Sequence, residues 1–451
     1  MQKSDHSSRI LNDSSTGEPR GSRCDAGRIA GVCLHADNDP RLAAAASILM
    51  HIVAGEFATF DIADSKVVRG DRAPGTSKLN DPASALCAAL DAPWQFPPLR
   101  RALTPDDQLA VVIDDRLPML ARLAPALLNY LSEAGVNPEA ITLVSPHGSR
   151  QEWVNDLPVS LQDVRTEIHD PADRRHLSYL ASTRKGRRIY LNRTLVDADQ
   201  TIVLAGSRYD PLFGRRGGAA ELFPQFSDNE TIAAAANFLS LQSEDEGDWP
   251  LRAEAEEVAW LLGVPFLVQI IEGSADSIGR IVAGTVEAAA ECDRLLDERW
   301  RVRFDRPAEI AVVTLNSDPK RQDFAALARA ALAAARLIET DGRVVILSRA
   351  RPTLGDGAIM MRDIDNPILA TRLAREIHTP DRAAVLQWLD AARRANLYLL
   401  AELPEETIES MFATPLQQAR QAQRLIDVAG SVLFLEDADK ALAVLTPGKG
   451  S

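Results

Sequence analysis

The chain has 451 residues, which at roughly 100–200 residues per domain argues for two or three packed units. Apolar residues make up 46% and charged residues 25%, the balance of an ordinary globular protein, so whole-chain disorder, a coiled coil and a membrane bundle are excluded as readings. Asp and Glu (64) outnumber Lys and Arg (50), and the resulting charge of -14 would repel a phosphate backbone, which excludes nucleic acid as the expected partner.

The first segment, Met1 to Arg28, is polar and lacks the apolar core of a secretory signal, so it reads as a disordered tail. Cys24, Cys33, Cys87 and Cys292 form no C-x-x-C pair and are too sparse for a disulfide framework, which fits a reducing, cytoplasmic compartment. The apolar run Ala43 to Ala54 contains His51 and falls short of the about 20 residues that a bilayer span needs; it is expected to be a buried helix or strand. Leu109 to Ile113, a helix from about Met119 to Ala134 stopped by Gly135, and Ile141 to Ser145 then make a βαβ unit. Strands are expected at Val164 to Ile168, Arg188 to Leu191 and Thr201 to Ala205. Ser227 and Glu230 form a capping box for a helix carrying Ile232 to Leu241. After the polar stretch Ser243 to Asp248 come a helix over Ala253 to Leu262 and a strand over Pro265 to Ile271.

A second α/β set begins with the strand Ile310 to Leu315, a helix from Asp323 to Ile338 and the strand Arg343 to Leu347. It continues through Asn396 to Leu400, a helix after Pro404 and a late strand at Ser431 to Leu435. The expected division is a tail over 1–28, a first α/β domain over 29–275, a second over 276–414, and a C-terminal helix and strand over 415–451 that could return to pack on the first domain. No segment reads as membrane-spanning.

In open parallel sheets ligands lie at the carboxyl ends of strands, which selects three loops. Asp114-Asp115-Arg116-Leu117-Pro118 offers a carboxylate for proton transfer and an arginine for an anion, or else a capped turn. Ser145-Pro146-His147-Gly148-Ser149-Arg150 offers an imidazole, a hydroxyl and a second arginine, or else a solvated loop. Tyr209 to Gly218 brings Asp210, Arg215, Arg216, Gly217 and Gly218 together, either as amides and guanidinia around one anion or as a flexible turn. His6, His35, His51, His169, His176 and His378 form no H-x-x-x-H or H-E-x-x-H pair, and the one histidine spaced as a ligand from a cysteine, His35 beside Cys33, reads as structural, so no metal site is expected. A G-x-S-x-G elbow, a Walker A loop and a G-x-G-x-x-G fingerprint are also missing.

The order of these pieces resembles the nickel-dependent lactate racemase family from about Glu56 to about Leu347. The turn Asp114 to Pro118 looks like the family's D-x-T-R-P. Glu167-Ile-His169-Asp170, Tyr179 to Gly186 and Ile189 to Asn192 continue the likeness. Gly214 to Gly218 with Phe223-Pro224 looks like the family's G-F-S-G-G-x-K loop. The resemblance implies a two-domain α/β fold with parallel-sheet βαβ units in both domains and an interdomain cleft. It also implies a nickel pincer nucleotide tethered to a lysine, a nickel-binding histidine, and two histidines exchanging protons in a hydride-transfer racemisation.

Carried over by position, the tethering lysine falls on Ala220, the nickel histidine near Phe238, and the two acid–base histidines on Asp210 and on Ser149, with His147 two places away. The family arginine of the first turn falls on Leu117, and the second domain's G-G-x-P-x-D turn keeps only Pro319 in Asn316 to Arg321. Alanine cannot form the tether, phenylalanine cannot ligate nickel, and a serine hydroxyl titrates far above neutral. The expectation is therefore a divergent member that lacks the covalent cofactor and binds a small, hydroxy-acid-like anion in the cleft. Arg116, Ser149, Arg150, Arg215, Arg216, Gly217 and Gly218 would bind it, and Asp114, His147 and Asp210 would supply any acid–base chemistry. The alternative is an active 2-hydroxy-acid racemase or epimerase with rewired residues, in which Lys185 or His147 enters the site from another loop.

Overall fold

The computed structural model describes residues 49–72, 78–149, 151–161, 164–242 and 247–446. The expected tail, Cys24, Cys33, His6, His35 and Arg150 lie outside the described residues. The chain enters through a hairpin, β1 (Leu49–Ala54) and β2 (Ala58–Ala63), followed by the short strands β3 (Val67–Val68) and β4 (Gly70–Arg72). In β1 only Ala54 is fully buried, so the expected buried element is instead a hairpin strand with one wet face. Its other face packs, through Ala54, Phe60 and Ile62, on Ile310, Val312 and Val345 of the second domain.

The first domain starts at α1 (Pro82–Asp91) and runs through β5 (Leu109–Ile113), α2 (Leu120–Glu133), β6 (Ile141–Ser145), β7 (Arg165–Ile168) and a hairpin of β8 (Leu177–Ser182) and β9 (Arg188–Asn192). After α3 (Arg193–Asp197) come β10 (Gln200–Asp210), β11 (Gly214–Arg216), α4 (Asn229–Ala235), α5 (Pro250–Leu261), β12 (Phe266–Glu272) and β13 (Ile278–Gly284). The sheet order is β13-β12-β10-β5-β6-β7, parallel except for the β12–β13 pair. All five residues of β5 are buried because both sheet faces are covered. Leu109, Val111 and Ile113 pack with α1 and α2, while Ala110 and Val112 pack with α5 and Phe223. The sequence places β5, β6 and β7 to one side and β10, β12 and β13 to the other. The order therefore reverses between β5 and β10, which makes that gap the topological switch point.

α6 (Ala289–Trp300) leads to β14 (Arg301–Phe304), β15 (Ala308–Thr314), α7 (Phe324–Ala335), β16 (Ile338–Leu347), α8 (Asp356–Met360), α9 (Pro367–Glu376) and α10 (Arg382–Arg394). β17 (Asn396–Leu400), α11 (Glu405–Ser410), β18 (Ala413–Pro415), α12 (Gln421–Val428), β19 (Val432–Leu435) and β20 (Leu442–Leu445) complete the chain. The second sheet is all parallel in the order β18-β17-β16-β15-β19-β3, and its own switch point lies between β15 and β19.

Two expected boundaries are corrected. β3 sits at the edge of the second sheet and β4 pairs with β14, so residues 67–72 belong with the second domain rather than the first. β19 and β20 also stay in the second domain, paired with β15 and β14, because their apolar residues complete its core. The helix after Ser227 is shorter than expected, ending at Ala235, and its cap is Asp228, whose carboxylate accepts from the Thr231 amide at 2.9 Å.

The carboxyl ends of the two sheets meet. Arg321, in the turn after β15, donates to the Arg116 carbonyl after β5 at 2.9 Å, pairs with Glu272 at 2.7 Å and reaches Asp276. Lys440 pairs with the same Glu272 at 3.1 Å and donates to the Gly273 carbonyl at 3.2 Å. Asp437 accepts from the Ala275 amide at 3.2 Å. Burial pushes the Glu272 carboxyl up, but Lys440 and Arg321 outweigh it and hold it below its ordinary value. Arg321→Ala is expected to lower stability by about 1–2 kcal/mol, because it removes one of the two cations on Glu272, the partner of Asp276 and the bond to the Arg116 carbonyl. Urea unfolding of the variant beside the parent measures it.

Candidate functional site

The first turn is built by β5 delivering Asp114 to the switch point. Asp114 is buried, its amide donates to the Leu204 carbonyl of β10, and its carboxylate accepts from the Arg116 amide at 3.2 Å. The carboxylate also holds Arg116 Nε at 3.1 Å and Arg208 at 2.9 Å. Arg208, which extends from β10, turns its other nitrogen to Glu221 at 2.9 Å. Glu221 is 1% exposed and takes Arg216 Nε at 2.8 Å; Arg216 lies 3.7 Å from Asp210 and also contacts Gln225. The result is an alternating chain of three carboxylates and three guanidinia, with no net charge, across the mouth of the first sheet.

Burial pushes the Asp114 carboxyl up, but the positive charges of Arg116 and Arg208 outweigh it and hold it well below the usual carboxylate range. Asp114 is therefore an ionised anchor and not a proton donor at neutral pH. Burial pulls Arg208 down, and the neighbouring Arg116 adds to that.

The structure separates the predicted residues. Asp114, Arg116, Asp210 and Arg216 belong to this network. Arg215 instead grips Asp297 of α6 through two nitrogens, at 3.0 and 2.7 Å, and stacks over Tyr209. Arg116 keeps 51% of its side chain exposed, against 18% for Arg215 and 13% for Arg216, so among the described candidate arginines its side chain is the most exposed. The second loop joins none of this: His147 is exposed, and the Ser149 hydroxyl accepts from the Gln151 amide at 3.2 Å. Gly217 and Gly218 are demanded by packing. A Cβ at Gly217 would stand 2.8 Å from Gln269 Oε1, and one at Gly218, whose φ is +55°, would stand 2.7 Å from Leu267.

Arg208 and Glu221 were not predicted. Arg208 hid inside a strand that runs on to Asp210, well past the expected end at Ala205, and Glu221 in a stretch read only for its glycines. The available signal was a charged residue in each of two otherwise apolar stretches, which burial tolerates only in pairs.

The glycine turn also floors a small pocket that opens to solvent between α5, α6 and β12. Ala219, Ala220, Leu267, Val286 and Ala289 form its apolar wall, and Arg252 and Gln269 are among its polar groups. Arg252 pairs with Asp293 at 2.8 Å and Glu256 at 3.2 Å. Gln269 is 4% exposed; its Oε1 accepts from Ser207 at 3.3 Å while its Nε2 has no hydrogen-bond partner among the described residues.

The residues do not fit a lysine-tethered nickel group. The tether position is Ala220, buried on the pocket wall, and Phe238 lies in a short turn, 38% exposed, with no atom to offer a metal. Lys185 is exposed on the turn between β8 and β9. His169 is buried, with Nε2 on the Ser227 carbonyl at 2.9 Å and Nδ1 facing Asn192 at 3.4 Å. Among the described residues no group of three or more His, Cys, Asp or Glu is placed to hold a metal ion, and no helix is long and apolar enough to cross a membrane.

A mixed α/β molecule of two parallel sheets joined at their switch points is the class that this architecture defines. Residues 55–247 match the lactate racemase N-terminal domain. The chain superimposes on the lactate racemase apoprotein from Thermoanaerobacterium thermosaccharolyticum with a TM-score of 0.71 at 15% identity, covering 88% of this chain and 100% of that one. A protein from Thermotoga maritima matches with a TM-score of 0.63 at 14% identity, over 82% of this chain and 100% of that one. No curated protein matches the chain. The first domain thus matches the lactate racemase N-terminal domain, and the chain as a whole has the fold of the lactate racemase apoprotein.

Glu221→Gln is expected to destabilise the protein by about 2–3 kcal/mol, since Arg208 and Arg216 both lose their shared carboxylate and keep only Asp114 and Asp210 as ionic partners; chemical denaturation checks it. Because the Asp114 pKa is depressed in the folded state, its stabilisation is present above the ordinary carboxylate pKa of about 3.9 and is lost as pH falls below it. Asp114→Asn should flatten the acid limb of a stability-versus-pH curve and lower its neutral plateau.

Proposed function

We propose that this lactate-racemase-like protein works without the lysine-tethered pincer and binds a small, hydroxy-acid-like anion at the junction of its two domains. Arg116 is the anchor. The observation that carries this reading is the contrast between Arg116 and its neighbours: it lies at the first sheet's switch point, its backbone is held by Arg321 of the second domain, and its side chain is half exposed and paired with Asp114 alone through Nε, while Arg208, Arg215 and Arg216 are more deeply enclosed among their carboxylates. Asp114 orients Arg116 from behind, so a ligand carboxylate would meet a positioned fork of donors and not a floppy side chain.

The alternative, hydride-transfer racemisation, requires an imidazole pair and a tether at positions held here by Asp210, Ser149 and Ala220. Asp210 lies against Arg216 and caps the turn at the Leu212 amide, at 2.8 Å, which supports a structural role for it. His147 and Lys185 are exposed, and neither is in contact with the Arg116 network. The reading that fits these side chains is recognition.

Thermal unfolding in the presence of lactate and a panel of other hydroxy acids tests it. A bound acid at a hundredfold excess over its dissociation constant should stabilise the protein by about 2.7 kcal/mol. Arg116→Ala should remove the ligand-dependent part of the shift. A flat response across the panel, or an undiminished shift in the variant, would refute the proposal.

A further inference from the structure

We propose that Asp323, from the second domain, sets specificity at the Arg116 site by accepting a hydrogen bond from a donor on the ligand carbon next to the carboxylate that Arg116 holds. The inference rests on the anion reading of Arg116 and adds to it the choice between acids. Arg116 is paired with Asp114 through Nε, which leaves both terminal guanidinium nitrogens without a hydrogen-bond partner among the described residues. Asp323 is exposed at the N-cap of α7. One of its carboxylate oxygens accepts from the Ala326 amide at 2.7 Å, and the other has no hydrogen-bond partner among the described residues.

The junction brings the two together. Arg321, two residues before Asp323, donates to the Arg116 carbonyl at 2.9 Å, so the start of α7 lies across from the first sheet's switch point. Asp114 does most to hold the Arg116 guanidinium above its ordinary value against the pull of burial, and Glu221 and Asp323 add to it. Asp323 is thus close enough to act on Arg116, yet among the described residues the two form no ion pair. Free donors from one domain and a free acceptor from the other complement a molecule with an acceptor at one end and a donor at the other. A carboxylate supplies the acceptor. A hydroxyl on the next carbon supplies the donor, whereas a 2-oxo group offers lone pairs alone and sets them against the Asp323 carboxylate. A site that pairs a ligand hydroxyl rejects the analogue lacking it far more strongly than apolar contacts discriminate.

Asp323→Asn is the informative change. Asparagine caps a helix as well as aspartate does, so α7 keeps its start. Its oxygen is committed to the Ala326 amide, which puts the NH2 donor where the free carboxylate oxygen was. Calorimetric titration of the full chain with racemic sodium lactate and with sodium pyruvate reads the result. The parent should bind lactate about tenfold or more tightly than pyruvate, and in Asp323→Asn the ratio should fall to about one or invert. The ratio is the readout because loss of the negative charge favours every carboxylate. Equal affinity for the two acids in the parent, or an unchanged ratio in Asp323→Asn, would overturn the role of Asp323 while leaving Arg116 as the anchor. Arg116→Ala should lose both acids; lactate binding that survives it, or no binding of either acid to the parent, would overturn the anchor reading and this inference with it.

Discussion

The alternation Asp114, Arg208, Glu221, Arg216 is the constraint on which the first domain's functional end depends. Four charges held away from water are tolerable only while each has its partner, because an unpaired buried ion costs several kcal/mol. The network ties the end of β5 to β10, β10 to the turn after β11, and that turn back to Asp210. It therefore fixes Asp210, one of the two proton-transfer positions of the lactate racemase resemblance, and the turn that carries Ala220 at its cofactor position. Of the guanidinia in the network, Arg116 is the one with the most exposed side chain, which is why the proposed anion site is placed on it.

The same logic, at larger scale, joins the domains. Each sheet places its switch point against the other, and the loop 272–277 from the first domain is held by Arg321, Asp437 and Lys440 from the second. A junction made of ion pairs and backbone hydrogen bonds is directional, so it sets an angle between the domains rather than merely an attraction. Arg321, which falls on the aspartate position of the turn in the resemblance, reaches from the second domain to Glu272, Asp276 and the Arg116 carbonyl of the first.

Much of the fold was legible in the sequence. Leu109 to Ile113 and Ile310 to Leu315 are uninterrupted apolar runs because both faces of a parallel sheet are covered, and that signature needs no tertiary knowledge. The edges were harder to read. Val67 and Val68 form a two-residue strand whose membership depends on a partner hundreds of residues away, and the packing of the C-terminal segment was left open for the same reason: its strands join the second domain's sheets while Asp437 and Lys440 reach the first domain's loop. At the site, the loops at strand ends were found, but their residues were pooled into one cleft. Arg215 and Arg216 are adjacent in sequence, and on β11 adjacent side chains face opposite sides, so one meets Asp297 and the other Glu221. Arg208 and Glu221 went unread because pairing in three dimensions is what makes them tolerable, and no spacing in the sequence announces it.

The central claim is that this chain keeps the lactate-racemase-like fold while its residues have given up the covalent cofactor. Intact-mass spectrometry of the protein produced alongside the enzymes that build the nickel pincer nucleotide tests it most directly. The account predicts the mass of the unmodified chain, 49.1 kDa, with no nickel retained after desalting. An adduct of nucleotide mass carrying stoichiometric nickel would contradict it.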